Sequence, residues 1–170
     1  MDIKNKIITF FLLFFSKEIV TILIAALPIF ELRLALPLAI LKFNIPLFKA
    51  ILLCLFGNML PVIPMLFFLN WFVDRLENTK IIGRFFKWWF AVAKRRSRVV
   101  QLYGFLGLII FVAVPLPGTG AWTGCLVAKL FNFDIKKAFL AIFLGVLGAT
   151  IVVSLIIKFV SFGLQFSFYL

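Results

Sequence analysis

The chain has 170 residues, 65% of them hydrophobic and only 14% charged, with a mean hydropathy of +1.20. A soluble domain of this length has too little interior to hide that much apolar surface, and continuous rather than alternating apolar runs argue against a β-barrel, so composition points to an α-helical membrane protein forming one compact unit. The net charge of +12 gathers in connecting segments, as in cytoplasmic loops, rather than forming a nucleic-acid surface.

The absence of histidine removes His-containing zinc sites, Ser-His-Asp and Cys-His catalysis and haem ligation through imidazole. Cys54 and Cys125 stand alone in apolar surroundings, as buried small residues do. Neither a nucleophile–base pair nor a metal constellation is recognisable, so no enzyme activity and no cofactor are expected.

Residues 1–18 have the charged start and short apolar core of a signal peptide, but no A-x-A cleavage pattern follows and hydrophobicity resumes. The stretch therefore reads as a retained first helix. It either lies at the interface or runs on through Phe30 as one span enclosing Lys17 and Glu18.

Ile19 to Phe30 is apolar, then Glu31 and Arg33 follow between Pro28 and Pro37, and Leu34 to Leu41 leads to Lys42 and Asn44. A spanning helix needs about 20 residues, and both arms are shorter. Two short arms around a charged, proline-bounded tip predict a re-entrant hairpin, tolerated at membrane depth only where protein or a watery cavity surrounds it.

Residues 45–73 are long enough to span, with Pro61 and Pro64 predicting a kink and Asn58 as the strongly polar residue near the middle. Asn58 suits an interhelical hydrogen bond or a substrate contact. Residues 74–98 carry eight basic side chains against Asp74 and Glu77, with Phe85, Phe86, Trp88, Trp89 and Phe90 among them. That pattern predicts a basic amphipathic helix on an anionic cytoplasmic membrane face. Placing it there puts Lys42 and Lys49 outside, against the usual charge bias.

Val99 to Val114 is a 16-residue arm, Pro115-Leu116-Pro117-Gly118-Thr119-Gly120 a second tip, Ala121 to Phe133 the return, and about 138–160 the closing span. A shift of 87 places Pro28 on Pro115 and Lys42 on Lys129; a shift of 88 places Asn44 on Asn132, Lys49 on Lys137 and Gly57 on Gly145. Each copy is a hairpin followed by one span, so the second is inverted. Many secondary transporters are built on that plan, with their site between broken helices. The fold class expected is an all-α integral membrane protein: repeat 1 over 19–73, the basic linker over 74–98, repeat 2 over 99–160, with the two tips meeting.

At the tips, Glu31 is the candidate proton carrier, since a carboxyl in an apolar site is retained for a purpose. Arg33 offers a planar positive fork suited to phosphate or carboxylate. Gly118, Thr119 and Gly120 bring backbone N–H groups and a hydroxyl to the start of the Ala121 helix, an arrangement suited to anions, with Trp122 and Thr123 on its first turn. No Walker-type phosphate loop is present, so a nucleotide motor is not supported.

At E-L-R-L-A-L-P and P-L-P-G-T-G-A-W-T-G the chain resembles the bacterial small multidrug export protein family, over about residues 19–160. That family is distantly related to the DedA (VTT-domain) membrane proteins. The resemblance implies opposed re-entrant hairpins in a multi-pass protein of the bacterial inner membrane, and transport of lipid carriers or drugs with proton dependence at Glu31. DedA-type second motifs place an arginine just beyond the proline-glycine, whereas Thr119, Gly120 and Ala121 follow Gly118 here.

The expected function is a proton-coupled transporter or flippase for a small amphiphile or an anionic lipid carrier. The alternatives are a cationic drug exporter and a non-transport envelope-assembly scaffold using the basic segment. Expected partners are the bilayer, anionic lipid headgroups, a small amphiphilic substrate and protons, with no nucleic acid; a homo-oligomer stays open.

Overall fold

The computed structural model describes residues 15–76, 91, 94, 97–116 and 118–167, with side chains left aside for 72–76 and 161–167. Every regular element among them is helical. Leu47–Trp71 and Ile135–Val160 are long and apolar enough to cross a membrane, with mean hydropathies of 2.2 and 2.8. Only 28% and 44% of these windows are buried, and Phe48, Phe56, Phe67, Ile151, Leu155 and Phe159 all point outward. Such apolar faces are costly in water and natural in lipid, so the helices fit a membrane protein. The basic helix expected over 74–98 lies almost wholly outside the described residues, as does the apolar start before residue 15.

The chain divides into two compact units, Met1–Asn58 with Val153–Leu170, and Met59–Val152. In the first, Ser16 caps helix α1 (Lys17–Ala26) by accepting from the Ile19 N–H at 3.4 Å. Lys17 and Glu18 thus form the first turn of a helix that begins after the Ser16 cap. Leu27, ahead of Pro28, is extended at φ −75° and ψ 136°, because a proline ring disfavours the helical region for the residue before it. The resulting break covers Leu27–Phe30, closed by the Glu31 N–H donating to the Leu27 carbonyl at 2.9 Å.

Helix α2 (Glu31–Pro37) follows and widens at once into a π-helical turn, Leu38–Lys42. The tip is therefore Leu27–Phe30, and the expected broken stretch around Glu31 and Arg33 is itself helical. Pro37 sits inside a helix rather than bounding the tip. Its missing N–H loosens the ladder just where the helix adopts its wider turn, with the Phe43 N–H reaching the Leu38 carbonyl at 3.0 Å. Left-handed Asn44 (φ 53°) then turns the chain into α3 (Leu47–Met59).

Helices α1 and α2 pack together, and Lys17 Nζ reaches the Phe43 carbonyl at 3.5 Å, so the arms form a helical hairpin whose start meets its end. At that open end Lys49 Nζ lies 2.8 Å from Glu18 Oε1, tying the hairpin to α3. The hydrogen bond from Lys49 holds the Glu18 carboxyl down to about 2. A depressed carboxyl stabilises the folded form fully above its unfolded value near 4.5, and that contribution is lost as pH falls towards 2. Because the pair is exposed, Lys49→Met should lower the melting temperature slightly at pH 7 and not at pH 2, with the pH 7 difference fading in high salt.

In the second unit, α4 (Val62–Leu76) is separated from α3 by Leu60 and Pro61. The kink expected within 45–73 is thus a short interruption. Pro64 falls in the first turn of α4, where an N–H would lack an intrahelical partner. Helix α5 (Arg98–Ala113) is not the straight 16-residue arm expected. Gly104 takes φ 52° and ψ −119°, a conformation open to glycine, and folds the chain so that Gly107 lies on the Val99 carbonyl. A non-helical stretch over 114–120 follows, then α6 (Ala121–Leu130), which ends short of Phe133. Left-handed Asn132 (φ 53°) turns the chain into α7 (Ile135–Ser167), which starts earlier than the expected 138.

Several local features recur at the sequence spacing. The arm beginning at Lys17 corresponds, 87 residues on, to the arm beginning at the Gly104 bend. Asn44 and Asn132 share φ 53° at a spacing of 88. Gly57 lies against Ile22 and Ala25, and Gly145 lies against Ile109 and Val112, residues 87 beyond those two. The same helix crossing is therefore built twice in one register.

Candidate functional site

Proline placement sets the geometry of the first break. Pro28 is exposed, the break ends at Phe30, and Glu31 opens α2 with φ 47°. A non-glycine residue held there costs about 1–2 kcal/mol. Such strain persists only where the surroundings enforce it, and it clusters at working sites. Glu31 is nonetheless buried, with 6% of its surface exposed, beside the fully buried Leu32, Ala35 and Leu36. Arg33 is half-buried on the same helix and close enough to feel the attraction of the Glu31 carboxylate. Residues two apart on a regular helix face different ways; the left-handed turn at Glu31 relaxes that restriction.

Asn58, one residue before the end of α3, is 3% exposed, and its Oδ1 has no hydrogen-bond partner among the described residues. The interhelical hydrogen bond expected as its structural role is therefore not made by that oxygen.

The second break is arranged differently. Thr119 is buried, and its hydroxyl lies 2.7 Å from the Val114 carbonyl and 2.8 Å from that of Leu116, the acceptors it can donate to. The hydroxyl is thus committed to holding its own loop. Gly118 is exposed with φ 81°, and Gly120 is buried and extended at the start of α6 without a side-chain cap. Pro115 and Thr123 are half-buried; Pro117 lies outside the described residues. Trp122 and Cys125 pack on Pro61, Val62 and Met65, anchoring α6 to α4.

The break at Glu31 and the break at Gly118 occupy one place in the repeat: the shift of 87 that pairs Pro28 with Pro115 pairs Glu31 with Gly118, and both are left-handed. The spacing of 87 alone is enough to pair them. By the same shift Arg33 corresponds to Gly120. At these two positions the charged groups thus lie on the first copy, where a carboxyl can exchange a proton and a guanidinium can hold an anion. Among the described residues no cluster of three or more His, Cys, Asp or Glu exists, and Cys54 and Cys125 are both buried.

A family model described as "Putative small multi-drug export protein" matches residues 31–152. No curated protein and no solved structure matches the chain. The matched stretch starts at Glu31, takes in the second break, and covers more than half of the sequence; the chain belongs to the small multi-drug export protein family.

Proposed function

We propose that this protein is a proton-coupled exporter of small amphiphiles, with Glu31 the residue that exchanges the proton. The observation that carries the reading is a buried carboxylate in a left-handed conformation that glycine holds at the corresponding place in the second copy. The second copy holds the same left-handed position with Gly118, so the backbone turn by itself does not call for an acid. A repeated helical hairpin followed by a long apolar helix is also a plan on which secondary transporters build substrate sites. It supports the kinship with DedA proteins and a multi-pass place in the bacterial inner membrane. An ionisable group within such a hairpin is a functional group by default.

Arg33, partly exposed beside Glu31, is suited to an anionic headgroup such as a phosphate or carboxylate. A second reading has Glu31 as the counter-charge of a cationic amphiphile, released when the carboxyl takes a proton. It is favoured by Glu31 being the more deeply buried of the two charges.

The test is efflux from proteoliposomes under an imposed pH gradient, with an anionic and a cationic fluorescent amphiphile measured separately. Glu31→Gln should remove the response to the gradient for either probe. Arg33→Ala should slow only the anionic one. Gradient-driven efflux at the wild-type rate in Glu31→Gln overturns the mechanism.

A further inference from the structure

We propose that Asn58 is a specificity-determining residue of this export site, its side-chain oxygen accepting a hydrogen bond from an N–H or O–H group of the exported amphiphile. The inference rests on the export reading and names a chemical feature of the ligand: a hydrogen-bond donor beside its charge.

The first ground is the amide itself. Asn58 is 3% exposed, and its Oδ1 has no partner among the described residues. An amide oxygen buried without a hydrogen bond is costly, and the cost grows in apolar surroundings. Native proteins leave few such atoms, and those that remain call for an explanation in a water, an ion or a ligand.

The second ground is the repeat. The crossing of Gly57 on Ile22 and Ala25 recurs as Gly145 on Ile109 and Val112, which fixes residue-by-residue correspondence around it. Asn58 then corresponds to Val146, which is 2% exposed. The fold therefore accepts an apolar side chain at this point of the crossing and does not require an amide. Glu31 against Gly118 shows the same asymmetry.

The third ground is height along the hairpin. Gly57 touches α1 at Ile22 and Ala25, in its last turn, one turn from the break that leads to Glu31. Asn58, the next residue, belongs to the same compact unit as Glu31 and Arg33 and lies level with the end of α1. The unit thus offers a carboxylate at Glu31 and an amide oxygen at Asn58, both acceptors. Their shared complement is a donor-bearing group.

The experiment uses the full chain in lipid nanodiscs and two cationic probes, ethidium, which has aromatic amine N–H donors, and tetraphenylphosphonium, which has no N–H or O–H. Asn58→Val, copying Val146, should weaken ethidium binding about tenfold, as expected for one lost hydrogen bond, and change tetraphenylphosphonium binding by less than about twofold. Asn58→Gln, which keeps an amide oxygen, should recover part of the ethidium loss, and the melting temperature of Asn58→Val should not fall. Equal weakening of both probes by Asn58→Val means a packing role and overturns the proposal, as does an unchanged ethidium affinity. If Glu31→Gln leaves both probes bound as in wild type, the reading of Glu31 as counter-charge to a cationic amphiphile fails instead. If wild-type protein binds neither probe, the proposal and the counter-charge reading both fall.

Discussion

Glu31→Gly is expected to leave the protein at least as stable as the wild type while abolishing proton-linked export. At φ 47° the glutamate backbone sits where a side chain clashes with the following carbonyl, and glycine removes a cost of about 1–2 kcal/mol. The greater freedom of glycine in the unfolded chain returns about 0.5–1 kcal/mol of that gain. The net change should lie between no effect and about 1 kcal/mol of added stability. Gly118→Ala probes the same backbone position in the second copy, where φ is 81°, and should lose about 1 kcal/mol because it adds the clash.

Most substitutions destabilise, so a loss-of-function change that does not is informative. Thermal unfolding in detergent, read beside gradient-driven efflux, measures both quantities. A melting temperature several degrees below wild type for Glu31→Gly would show that the carboxylate holds the hairpin together, and would remove the argument from strain.

The largest stability losses should come from Gly57→Val and Gly145→Val. A Cβ at position 57 would lie 2.5 Å from the Ile22 carbonyl oxygen and 2.9 Å from the Ala25 Cβ. At position 145 it would lie 2.6 Å from the Val112 Cβ and 2.9 Å from the Ile109 carbonyl oxygen. These neighbours are helix backbone or short rigid side chains and cannot swing aside, so the helices must separate. Overpacking of this kind costs about 1–3 kcal/mol, and the upper end applies where backbone is the obstacle. Lipid supplies no hydrophobic drive to hold helices together, so close approach over small residues carries much of the packing energy.

Because the crossing is built twice, the two variants should lose similar stability, measurable as the shift in unfolding midpoint in a denaturing detergent titration. Gly104→Ala is the contrast: nothing lies within 4 Å of an added Cβ there, so only backbone strain of about 1 kcal/mol is at stake. A Gly57→Val protein as stable as wild type would mean that α1 and α3 are not held at this contact.

The membrane character was legible in the composition, because a chain so apolar cannot bury its own surface. The position of the first break was half legible. Pro28 marks the region, and charge in an apolar run points to Glu31 and Arg33 as the tip, whereas a proline acts on the residue before it. Leu27 takes the extended conformation and Glu31 already starts the next helix. The bend at Gly104 left no mark in the sequence, because a single glycine inside an apolar helical run is an ordinary occurrence; it shows only in the return of Gly107 onto Val99.

The repeat was readable as spacing, through Pro28 and Pro115, Asn44 and Asn132, and Gly57 and Gly145. Spacing could not tell what those residues share. That came from three-dimensional contacts: two asparagines in one left-handed turn, two glycines under one helix crossing, and a glutamate standing where its counterpart is glycine. By itself the sequence determined an all-helical membrane protein, because hydrophobic length and proline position are local properties. Which polar groups are buried, strained or without partners was decided only by tertiary structure, because burial and backbone sign at Glu31 and Asn58 depend on neighbours distant along the chain.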